Sequence, residues 1–208
     1  MTCEGRFIQR WFPRLIVCLM AGLLWLSCGQ SGVSDDGDGF VQSLPKLPAD
    51  QAILFEVGYV NGAWGYRCEG WYIDGSGRRY SYHYEHDDDP WRPENHEAIT
   101  EQELLEKFSH GAEFLGVVDP AEVAASKALI PASAVGTMSD VARRCADFGT
   151  ARYLAYVRDD STLTYRTVLL YQHGDMAYRN LSVEARTLFD WLREVSDQRG
   201  EIPCPAPE

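Results

Sequence analysis

The chain has 208 residues and a formal net charge of −12 at pH 7. Nucleic-acid recognition needs a basic face, so this charge balance argues against a nucleic-acid partner and for a soluble, acidic surface. The length suits one ordinary domain plus a leader, and with 45% hydrophobic side chains there is enough apolar material for its core.

The first segment has the build of an export address. Arg6, Arg10 and Arg14 precede an uncharged stretch from Leu15 to Leu26. That stretch is shorter than the roughly twenty residues needed to span a bilayer, and it reads as the apolar part of a signal peptide. Next comes Leu24-Trp25-Leu26-Ser27-Cys28-Gly29, with a small residue directly before a cysteine and a glycine directly after it. This resembles the lipobox of bacterial lipoproteins, with Trp25 and Leu26 departing from the usual aliphatic and small residues. The resemblance implies that residues 1–27 are cleaved and that Cys28 is lipidated and becomes the mature N-terminus. It also implies a protein held in the bacterial outer membrane by its lipid, since no Asp follows the cysteine. The alternative is ordinary cleavage releasing a secreted or periplasmic protein. Loss of residues 1–27 removes three arginines and Glu4, taking the charge to −14.

Residues 28–50, rich in Gly, Ser, Asp and Pro, read as a flexible tether, because such a composition buries too little apolar surface to offset its ordering entropy. Residues 51–202 form one globular domain, and the proline-rich residues 203–208 an extended tail.

Within the domain, "AILFEVGYV" is a strand, and two further strands flank the turn Asp74-Gly75-Ser76-Gly77. Thr100 with Glu103 makes a capping box for a helix ending at Gly111. Asp119-Pro120 opens a second helix expected to stop before Pro131. A third is expected over about 139–148, with Met138, Val141, Cys145 and Phe148 as its inner stripe and Gly149 as its cap. The stretch from Ala151 to Asn180 breaks at Asp159-Asp160-Ser161 and at His173-Gly174-Asp175, which predicts a three-stranded meander. Ser182 caps a final helix carrying Leu188, Trp191, Leu192 and Val195. Asn180-Leu181-Ser182 also matches a glycosylation acceptor, but the cap explains Ser182 better. Strands, helices, strands and a helix in that order give an α+β domain with an antiparallel sheet.

Three sets of residues are candidates for function. Cys68 and Cys145 are the first choice for a disulfide, because an exported chain meets an oxidising compartment. The aromatic hairpin carrying Trp64, Tyr66, Trp71, Tyr80, Tyr82 and Tyr84 is a candidate binding face for an envelope protein or a glycan, provided that one side is exposed. The segment His83 to Glu97 gathers imidazole and carboxylate donors, with His83, Glu85 and His86 as candidate metal ligands or an acid-base pair. No metal-protease, calcium-loop, nucleophile-elbow or phosphate-loop motif accompanies them, so no cofactor is expected. The reading is an envelope lipoprotein that contacts the membrane through its lipid and works by binding. The alternative is a metal-dependent or acid-base hydrolase.

Overall fold

Among the described residues, nine strands and three helices follow one another in the order β1 (Ile53–Asn61), β2 (Arg67–Asp74), β3 (Arg78–Tyr84), β4 (Ile99–Thr100), α1 (Glu101–Ser109), β5 (Glu113–Val117), α2 (Pro120–Ser133), β6 (Ala142–Arg143), β7 (Thr150–Asp159), β8 (Thr164–Gly174), β9 (Met176–Arg179) and α3 (Val183–Asp197). They come from a computed structural model that describes residue 44 and residues 47–63, 65–84 and 88–197. The strands form one antiparallel sheet ordered β5-β3-β2-β1-β7-β8-β9-β6, with β4 paired to β8. The domain is therefore α+β with an antiparallel sheet, as the sequence predicts.

Local chemistry sets most element ends. Asp74 closes the β2–β3 turn by accepting the backbone N–H groups of Ser76 and Arg78. The capping box of α1 is complete, because Thr100 accepts the Glu103 N–H while the Glu103 carboxylate accepts the Thr100 N–H. Asp119 caps α2 through the Ala121 N–H, and Ser182 caps α3 through the Ala185 N–H at 3.1 Å.

Two apolar clusters sandwich the sheet. On one face, Phe55, Val57, Trp71, Ile73 and Leu170 pack against α2 and α3 through Val123, Ile130, Leu188 and Leu192. On the other, Cys68, Tyr82, Tyr84, Tyr156 and Tyr165 pack under α1 through Leu104 and Phe108. The period of two along each strand divides the residues between these faces.

Two expected elements differ. Pro131 lies inside α2, which continues to Ser133; so close to the end, its missing N–H removes only one ladder bond. Residues 139–148 form no helix. Ser139 N–H donates to Arg179 O, Arg144 N–H donates to Asp175 O, and β6 pairs with β9, so the strand edge claims this backbone. Asp147 and Gly149 adopt positive φ of 66° and 74° as the segment bends into β7.

Candidate functional site

One acidic residue interrupts the apolar run of β1. Glu56 points to the α1 face and is 3% exposed. Its Oε1 accepts from the Tyr82 hydroxyl at 2.5 Å and from Lys107 Nζ at 2.6 Å, and its Oε2 accepts from the Tyr156 hydroxyl. Four elements, β1, β3, β7 and α1, thereby converge on one carboxylate. Helical spacing places Lys107 on the same face of α1 as Leu104 and Phe108, which turns its ammonium inward. That ammonium lies 4.8 Å from the Trp91 ring centroid, 5.1 Å from that of Phe108 and 5.3 Å from that of Tyr82.

Two paired glycines make the room. Gly58 and Gly70 are opposite each other on β1 and β2. A Cβ on Gly58 would stand 2.8 Å from Glu56 Oε1 and against the Tyr82 hydroxyl, and one on Gly70 would stand 2.9 Å from that hydroxyl.

The protonation states follow from the surroundings. Burial opposes ionisation of Glu56, but the Lys107 charge, with hydrogen bonds from Lys107, Tyr156 and Tyr82, outweighs it and holds the carboxyl below its usual value. Burial, reinforced by the Glu56 charge, keeps Tyr82 and Tyr156 protonated far into the alkaline range. The Cys68 thiol beside this network is pushed up by burial, against the pull of Lys107 and a hydrogen bond from Tyr66. A thiol held protonated is a poor nucleophile.

The network thus holds a buried ion pair with two tyrosine donors, and all four side chains are buried. It joins elements firmly and offers no exposed reactive atom. The sequence signal for it was a lone Glu in an apolar strand and a Lys on the apolar stripe of a helix.

The aromatic hairpin is organised differently from an exposed binding face. Trp71, Tyr82 and Tyr84 are 1%, 1% and 7% exposed, while Tyr66 and Tyr80 are half-buried. Trp71 enters the α2–α3 core, and the tyrosines lie under α1, because helices cover both faces of the sheet. Their rings engage one another: Tyr72 stacks on Phe108 at 4.2 Å and on Tyr80 at 5.5 Å, and Tyr84 stacks on His110 at 4.3 Å. Trp64 lies outside the described residues.

His83 is exposed on β3, and its N–H donates to His110 O. Glu85 and His86 lie outside the described residues. Among the described residues, no three His, Cys, Asp or Glu side chains are placed to share a metal ion. His110 Nε2 does meet Asp88 Oδ2 at 3.0 Å.

Cys68 and Cys145 are both free. The expected bridge between them is not formed, because Cys68 faces α1 from β2 whereas Cys145, without its expected helix, is exposed. Asn180, the residue of the glycosylation motif, is buried and donates to Ser133 O at 2.8 Å while accepting the Ser182 N–H at 3.0 Å. It therefore ties the end of α2 to the start of α3.

Two cavities lie away from the buried carboxylate. One of 170 Å³ sits between Arg79, the start of α2 and Val195 near the end of α3. A wider hollow of 730 Å³ is formed by the β7–β8 turn and Glu97-Ala98. Three of its ionisable groups are engaged within the turn, Asp159 accepting from Ser161 and Asp160 from Arg158, while Glu97 and Arg166 also line it.

Compared with known proteins, the chain matches no family model, and no curated protein or solved structure shows significant similarity to it.

Proposed function

We propose that the protein is a lipid-anchored component of the bacterial cell envelope whose folded domain acts by binding rather than by catalysis. The observation that carries this reading is the sealed state of Glu56. The most perturbed ionisable cluster among the described residues spends its hydrogen-bonding capacity internally, where an acid-base site would present a group to substrate. The signal segment and Cys28 supply the anchor, and the Gly-, Ser- and Asp-rich residues that follow supply the reach; this tether stops short of residue 50, because Leu47 packs against the core and Lys127 Nζ donates to Pro48 O at 2.9 Å. No helix of the described residues is long and apolar enough to cross a membrane. The test is metabolic labelling with a radioactive fatty acid in a bacterial host. Label is expected in the full chain and absent from Cys28→Ser; equal labelling of both, or none in either, refutes the anchor.

A second reading, hydrolysis by the His83 to Glu97 segment, draws on the His110–Asp88 pair, which lies against that segment. It predicts stoichiometric metal in the purified chain that is lost in His83→Ala, measured by mass spectrometry.

A further inference from the structure

The 170 Å³ cavity lies where the outermost strand β5 meets the end of α3. Val117 and Val118 line it from the β5 side and Val195 from α3, and Arg79, Asp119 and Glu122 complete its wall. Val117 is 60% exposed, and Phe114 on the same strand is 59% exposed. β5 stands first in the sheet order, so its outer side pairs with no strand among the described residues. An apolar sheet edge of this kind recruits other chains unless something covers or blunts it.

The way α3 ends points to the cover. Arg79 is buried, its guanidinium lies 5.2 Å from the Trp71 ring centroid, and its Nη1 donates to Val195 O at 2.5 Å. A cation bonded to a carbonyl of the last turn pins that helix end to the cavity wall. α3 stops two residues later, at Asp197. The chain continues as Gln198-Arg199-Gly200-Glu201-Ile202-Pro203, and residues 198–208 lie outside the described residues. It therefore leaves the helix beside the cavity. An extended chain covers at most about 3.3–3.6 Å per residue, so Ile202, five residues past Asp197, stays within about 17 Å of the helix end. Ile202 is the one branched aliphatic side chain of residues 198–208. Gly200 suits the turn that ends a helix, and Pro203 favours an extended backbone at Ile202.

We propose that residues 199–203 fold back over this cavity and the outer side of β5, with Ile202 seated against Val117 and Val118. The segment is tethered next to its site, so seating it costs little beyond the ordering of a few residues. Glu122 Oε2 already accepts from Trp191 Nε1 at 3.4 Å and Asp119 caps α2, so Arg199 adds only a charge contact at the rim and Ile202 carries the seating. Pro203 has no N–H to offer a further strand. Covered in this way, β5 closes the sheet against strand addition by another chain.

The test uses the full chain, its variant Ile202→Asp and the conservative Ile202→Val. Residue 202 lies beyond α3, so both variants should keep the wild-type circular dichroism. Arg199 is the single Lys or Arg of residues 198–208, and trypsin cuts after it only when the segment is unseated. Loss of residues 200–208, followed by intact mass, should be slow in the wild type and in Ile202→Val and at least about tenfold faster in Ile202→Asp. Hydrogen exchange of residues 113–118 should quicken in Ile202→Asp alone. Rapid cleavage of the wild type after Arg199, or protection that Ile202→Asp leaves unchanged, overturns the proposal. Faster cleavage of Ile202→Asp with unaltered exchange at 113–118 also overturns it, since the segment is then seated elsewhere. So does exchange at 113–118 that depends on protein concentration and not on Ile202, which assigns the edge to a second copy. Slowing of that exchange by inorganic phosphate, equal in the wild type and Ile202→Asp, assigns the cavity to an anion at Arg79 and overturns it as well.

Discussion

Replacing Lys107 with Met tests the central carboxylate most directly. The substitution roughly keeps the aliphatic stem and removes the ammonium that stands 2.6 Å from Glu56 Oε1. At that separation the attraction is about 6 kcal/mol for an effective dielectric constant of about 20, and most of it is offset by the desolvation of both groups. Breaking one side leaves Glu56 ionised in the core with only two tyrosine donors, and such a buried, uncompensated charge costs about 3–5 kcal/mol. Urea denaturation at pH 7 should therefore show the midpoint falling by about 2 M. The pH dependence carries the more specific signature. In the wild type the folded Glu56 carboxyl lies below its ordinary value of 4.5. Its contribution is present above that value and is lost as pH falls through the lower folded one. Without Lys107, burial dominates and the folded carboxyl moves above its ordinary value. The variant's penalty is then relieved as pH falls from 7 towards 5, and its stability should approach that of the wild type. The double variant Glu56→Gln/Lys107→Met should recover most of the loss, since no charge is buried. A single variant within about 1 kcal/mol of wild type at pH 7, or one that weakens on mild acidification, would refute this account.

Three further outcomes follow from the packing. Gly58→Ala should lower stability by about 1–3 kcal/mol by thermal or urea melting, because its Cβ crowds Glu56 and Tyr82, while Gly62→Ala, with open space around it, should stay within about 0.5 kcal/mol. Ser182→Ala should cost about 1 kcal/mol through the lost α3 cap, read by the same melts. Under native conditions an alkylating reagent should modify Cys145 and spare Cys68 until the protein unfolds, as followed by intact mass; fast labelling of Cys68 in the folded chain would contradict its burial.

Much of the architecture was legible because its signals are local. The turn Asp74-Gly75-Ser76-Gly77, the Thr100–Glu103 box and the Ser182 cap each specify structure within a few residues. The strip 139–148 misleads because Val141, Cys145 and Phe148 repeat at helical spacing, yet its backbone is drawn to β9 some thirty residues on. The short edge strand β5, interrupted by Gly116 at φ 134°, carries too weak a period to announce itself. The hairpin aromatics were found, but their exposure depended on helices whose placement no local pattern encodes. The Glu56 network was hidden for the same reason. Glu56 and Lys107 each look out of place in an apolar pattern, but only the fold reveals that they are partners, together with Tyr82 and Tyr156.

The pairing of β1 with β7 also bears on how the chain reaches this state. The sheet consists of two locally wired halves, β1-β2-β3 and β7-β8-β9, and Phe55 meets Ala155 at the seam between them. Each half can form from neighbouring segments, but the seam must close a loop of about a hundred residues, which is slow for entropic reasons. Until it closes, β1 offers an unpaired edge with Glu56 lacking its Tyr156 donor. A half-made domain therefore carries both a sticky strand and an unsatisfied carboxylate. The charge that locks the finished sheet also disfavours burying that strand prematurely against a wrong neighbour.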